Sequence, residues 1–93
     1  MAQKENNIIP MIFDEAFYRK MATQKWRQQD YKKAAEYYEK VLELSPKDFD
    51  IQQHYAQCLV KLNIGKKAER LFYENIVKDF HVAESFYELS QLN

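Results

Sequence analysis

One glycine and two prolines are too few turn formers to punctuate a many-stranded β fold in a chain of 93 residues. A single cysteine, Cys58, rules out an internal disulfide framework. It fits a reducing compartment only weakly, since one thiol is harmless outside the cell. Neither sign of charge is in excess, with 14 lysines and arginines against 14 acids. That removes the global attraction that draws a protein to nucleic acid or to an anionic membrane surface. No run approaches the roughly 18 apolar residues of a membrane helix. The most apolar segment, IIPMIF at 8–13, is too short and too poorly flanked for a signal peptide. Glycine-rich phosphate loops, a nucleophile elbow and carboxylate clusters are missing too. The expectation is a soluble, cytoplasmic, non-enzymatic domain with no cofactor.

What is there is apolar and helical in spacing. The sequence is 46% hydrophobic and 15% aromatic, too rich for compositional disorder. A chain this short buries roughly 60–65% of its unfolded surface, so one small core is the most it can build. Residues 1–9 read as a solvated N-terminal segment and 10–93 as one domain. Pro10 suits the first turn of a helix, where its missing N–H costs nothing. Phe13, Phe17, Tyr18, Met21, Ala22 and Trp26 continue that helix at apolar spacing. Asp14-Glu15 also suits a helix N-terminus. A second amphipathic stretch runs from Tyr31 to Leu44 and stops at Ser45-Pro46, because the residue before a proline is pushed out of the α region. A third spans Phe49 to Leu62, with Gly65 expected as a left-handed cap. A fourth spans Lys66 to about Asp79. A short fifth begins near Val82 and carries Phe86, Leu89 and Leu92.

The stretches repeat. Shifting the chain by 34 residues places Ala34 on Ala68, Tyr38 on Phe72 and Leu42 on Ile76. The same shift relates Met21-Ala22, Tyr55-Ala56 and Leu89-Ser90. With Glu15 as the first position, repeat one covers 15–48, repeat two 49–82, and a partial repeat or capping helix 83–93. Ala34 is small where two helices cross closely, Tyr38 is the large neighbour that fills the space beside the crossing, and Pro46 ends the hairpin. These positions resemble the tetratricopeptide repeat, and against that family's pattern Gln52 and Asn75 are departures, since apolar residues are usual there, while Phe80 stands where proline is usual.

On these residues the chain resembles the tetratricopeptide repeat family from residue 15 to 93, about four-fifths of its length. The resemblance implies an all-α fold of antiparallel helix hairpins, five helices stacked as a short solenoid. It also implies a protein or peptide partner, held in a concave groove formed by the first helix of each repeat. Carried over by position, the wall comprises Ala16, Arg19, Lys20, Thr23, Trp26 and Arg27 in repeat one. It continues through Asp50, Gln53, His54, Gln57, Val60 and Lys61 in repeat two, and through Glu84, Tyr87, Glu88 and Gln91 in the last helix. One subset of the family grips a C-terminal carboxylate with lysines, asparagines and an arginine. Here only Arg19 has that character, and Glu84 and Glu88 stand where positive charge is needed, so such tails are not expected ligands.

Plainer readings stand beside these. Trp26 either contacts a partner or covers the hairpin edge. Arg19, Lys20, Lys25 and Arg27 form either part of the groove or an ordinary solvated face; with zero net charge, half of a nucleic-acid patch is disfavoured. His54 and Cys58 lie one turn apart, but no third or fourth metal ligand has suitable spacing. Arrays usually finish with a capping helix whose outer face is polar, whereas the last helix here has about eleven residues and no clear terminator. Either a following segment, a second copy, or a different subunit would then cover it. The alternative function is therefore a small chaperone or assembly subunit, stabilised by its partner or by self-association through the C-terminal helix or the N-terminal apolar segment.

Overall fold

The computed structural model describes residues 14–92. They form α1 (Glu15–Arg27), α2 (Tyr31–Leu44), α3 (Phe49–Lys61), α4 (Gly65–Val77) and α5 (Val82–Leu92), and no strand occurs among them. Each helix packs against the next in order, as short connections demand. The all-α repeat architecture expected from the sequence is what the chain adopts. The expected helical start at Pro10 and the IIPMIF segment lie outside the described residues.

Helix starts follow the repeat. Asp14, Asp30 and Asp48 each accept a hydrogen bond from the backbone N–H three residues on, at 3.0, 3.2 and 3.1 Å. Each satisfies one of the donors that a helix N-terminus leaves open. Ile64 holds the corresponding place before α4 and has no side-chain cap bond.

Helix ends follow it too. After α1, α3 and α4 the chain turns through a left-handed residue: Gln29 (φ 62°), Asn63 (φ 64°) and Asp79 (φ 65°). At each end two backbone bonds reach back to helix carbonyls, for example Asp30 N to Lys25 O and Gln29 N to Trp26 O, both at 2.9 Å. This is the Schellman closure, usually made with glycine. The expected left-handed role of Gly65 is therefore corrected: Asn63 takes it, and Gly65 is the first residue of α4 with no positive φ. Helix α2 instead ends at Ser45, ahead of Pro46.

The core lies along the helix crossings. Ala22, Ala34, Ala56 and Ala68 are all fully buried, two on first helices and two on second helices. Tyr38, Val41, Tyr55, Leu59 and Phe72 fill the space beside them. Cys58 is enclosed in this core, and burial pushes its thiol up to about 12. His54, one turn earlier, is exposed and stacks on Tyr38 at 5.9 Å. No group of three or more ligating side chains suited to a metal occurs among the described residues.

The two pattern breaks face each other. Gln52 Nε2 donates to Asn75 Oδ1 at 3.0 Å, and Asn75 Nδ2 donates to Gln53 Oε1 at 2.8 Å and to Phe49 O at 3.1 Å. Ser85 Oγ donates to the same Gln53 oxygen at 3.0 Å. A buried polar seam thus joins α3, α4 and α5. Phe80, in the place of the usual proline, lies against the Phe49 ring at 5.2 Å.

Candidate functional site

The expected wall residues lie on the first helices α1, α3 and α5. A concavity of about 640 Å³ is lined among the described residues by Arg19, Lys20, Thr23, Gln24, Arg27 and Gln28 of α1. Four of these were expected from the repeat register. Gln24 and Gln28 were not, because the register marks only the strip facing the next hairpin. The described lining holds three cations, two amides and a hydroxyl, and no carboxylate.

Arg19 is partly engaged elsewhere. Its Nε donates to Glu15 Oε2 at 2.7 Å, and its Nη2 pairs closely with Asp48. Ser45 Oγ donates to Glu15 Oε1 at 2.6 Å. The Ser45 hydroxyl, and then Arg19, hold the Glu15 carboxyl below its usual value. Arg19 therefore ties α1 to the turn before α3. Lys20 and Arg27 are exposed and form no ion pair among the described residues, which leaves their charge facing solvent.

Other expected residues are placed less simply. Trp26 is half-buried, edge-on to Tyr31 at 5.1 Å, and Lys61 Nζ sits 5.9 Å from the centre of that same Tyr31 ring. This is the hairpin-edge position rather than the concavity. Gln53 is corrected outright as a surface residue. It is 2% exposed, because α5 stacks on it and Ser85 and Asn75 take its oxygen. His54 is exposed, Gln57 half-buried, Tyr87 64% exposed and Glu88 half-buried.

Asp50 and Glu84 are bridged by a residue that the register does not mark. His81 Nε2 lies 2.5 Å from Asp50 Oδ1 and its Nδ1 lies 2.5 Å from Glu84 Oε1. Both ring nitrogens face carboxylates, so protonation is favoured and the imidazole pKa is raised, first by Glu84 and then by Asp50. A raised folded pKa stabilises the fold fully below the ordinary value of about 6.5 and loses that contribution as pH rises through the raised value. The His81→Asn variant keeps a residue tolerant of the left-handed backbone (φ 51°) and removes the charge. Its melting temperature is expected to fall below that of wild type in acid and to converge on it in mild alkali. A constant difference across pH would refute the ionic origin.

Among the described residues no helix is long and apolar enough to cross a membrane. No curated protein and no solved structure matches the chain. A family comparison does: the tetratricopeptide repeat profile matches residues 25–72, from the last turn of α1 into α4. That is just over half of the chain, and it contains Ala34, Tyr38, Pro46, Ala56, Ala68 and Phe72 in their repeat positions. With its stacked hairpins, the chain belongs to the tetratricopeptide repeat family, whose members serve in general as protein–protein interaction modules.

Proposed function

We propose that the chain holds an extended, acidic segment of a partner protein along the concave face. The observation that carries this reading is the α1 concavity, whose described lining is basic and amide-bearing without a carboxylate. Lys20 and Arg27 supply charge that is free to pair, and Thr23, Gln24 and Gln28 supply hydrogen bonds. Gln57, His54 and Lys61 extend the track onto α3. Paired rim charges of this kind govern encounter and register more than raw affinity.

The test uses a library of acidic, neutral and basic peptides against wild type and a Lys20→Glu/Arg27→Glu variant. Acidic peptides are expected to bind wild type and to weaken at least tenfold in the variant, at unchanged helix content. Equal binding by both proteins would move the site off α1. A dedicated assembly subunit is the second reading, favoured by the exposed apolar side chains Val77, Phe86 and Tyr87.

A further inference from the structure

His81 stands at the point where α5 begins, and its ring ties that point to α3. Its carbonyl accepts the first hydrogen bond of α5, from Ser85 N at 2.9 Å, which makes it the residue that opens the helix. Its two ring nitrogens reach carboxylates on different helices: Glu84 in the first turn of α5 and Asp50 in the first turn of α3, each at 2.5 Å. A neutral imidazole carries one N–H and one bare lone pair. It can donate to one of these carboxylates and must turn a lone pair on the other. Only the imidazolium, with two N–H donors, holds both. The tie between α3 and α5 is therefore complete in one protonation state alone.

What this tie holds in place carries a cost. Of α5, Ser85 and Leu89 are buried, and Ser85 encloses Gln53 of α3 to 2% exposure. Asn75 Nδ2 donates to Phe49 O, an atom that can only accept, and this fixes which way round the Asn75 amide lies. The same nitrogen then donates to Gln53 Oε1, so the Gln53 oxygen is the acceptor and its Nε2 the donor. Among the described residues that Nε2 is buried with no hydrogen-bond partner. A stranded donor favours any state that returns it to water. Against it stand the Ser85 bond, the Leu89 side chain and the His81 bridge. The Phe49–Phe80 ring contact, at 5.2 Å, holds the preceding turn to α3 whatever the charge on His81.

We infer that Asp50, His81 and Glu84 form a proton-operated latch on α5. With His81 charged the helix stays docked over Gln53; with His81 neutral it opens as a unit ahead of the rest of the fold. The other charged groups nearby do not switch. Lys47 and Asp48, in the turn before α3, line one concavity with Asp50 and Phe80, and Lys78 and Asp79 lie in the turn that leads to His81. Between about pH 5.5 and 8.5 lysines stay charged, and so do these aspartates and Glu84. The Cys58 thiol, pushed up to about 12, stays protonated. His54 stacks on Tyr38 and takes no part in the bridge. The sign follows: closure is favoured in acid and weakens as the pH rises and His81 gives up its proton.

The experiment is hydrogen exchange of the full chain by NMR at the two ends of that pH range, with each rate divided by that of the unfolded chain at the same pH. In wild type the α5 amides are expected to be less protected than those of α2 at both ends. Their protection is expected to fall about fivefold from acid to alkali, the size of a partly exposed charge pair. The side-chain N–H protons of Gln53 are expected to exchange along with them. In His81→Asn, α5 is expected to be as weakly protected in acid as wild type is in alkali, with no further fall. If α5 and α2 amides were equally protected at every pH, α5 would not open by itself and the inference would be overturned. A separate opening that ignores pH, or one with the same pH dependence in His81→Asn, would overturn it as well. So would Gln53 side-chain protons that stay protected while α5 exchanges.

Discussion

Ala34→Leu is expected to lower stability by about 2–3 kcal/mol. For a domain of this size that corresponds to a fall of roughly 10–20 °C in melting temperature. Ala34 has no exposed surface and sits on α2 in the repeat position of the closest helix approach, with Ala22 fully buried on α1. A leucine there brings three more carbons into a space already closed. The side chain cannot turn outward, because both neighbouring hairpin faces are packed. Either it leaves its preferred rotamer or α1 and α2 separate, and separation also opens the crossing with α3. Glu36→Leu on the exposed face of the same helix is the control, expected to stay within about 0.5 kcal/mol. Circular dichroism melts of the two variants decide the matter. If Ala34→Leu melts with wild type, the repeat register is wrong by at least one residue.

That register was legible because it rests on size and spacing. Ala34 and Ala68, Tyr38 and Phe72 are recognisable without knowing what they touch, since a helix crossing imposes the same volume in each repeat. The helix starts at Tyr31 and Phe49 were legible from the same spacing, whereas the caps that Asp30 and Asp48 provide are seen only in the structure. What escaped was pairing across the fold. Gln52 and Asn75 looked like two independent departures, yet they are hydrogen-bonded partners separated by 23 residues. Gln53 was assigned to the wall because its place on α3 matches that of Arg19 on α1. Only the docking of α5, with Ser85 over its oxygen, removes it from the surface. His81 likewise carries no repeat signature, and its role depends on two carboxylates from different helices. Gly65 drew the left-handed role by its residue type, whereas Asn63 takes it by position.

The second large effect is expected at Asn75. The side chain is fully buried and makes three hydrogen bonds within the seam. Asn75→Ala leaves Gln52 Nε2, Phe49 O and Gln53 Oε1 each short of a partner where water does not reach freely. A buried group left unpaired costs about 1–3 kcal/mol. Gln52 retains Glu74 Oε1 at 2.9 Å, and Gln53 retains Ser85, so the losses do not simply triple. A net loss of about 3 kcal/mol is expected, out of a total stability of roughly 5–14 kcal/mol for a chain of this length. Among the described residues Gln53 Nε2 already lacks a hydrogen-bond partner, so the seam has no slack to absorb a further orphan. Amide exchange should rise first in α5, which is anchored here through Ser85. The decisive comparison is the Gln52→Leu/Asn75→Ala double variant, which restores an apolar pair of the kind usual at these positions. It removes the donor together with the acceptor it was serving. It is therefore expected to be at least about 1 kcal/mol more stable than the sum of the single losses predicts. Strict additivity would mean that the two residues are buried side by side without supporting each other. The seam would then be incidental to how α5 is held, and a positive coupling would mark Gln52 and Asn75 as one compensated change within an otherwise regular repeat.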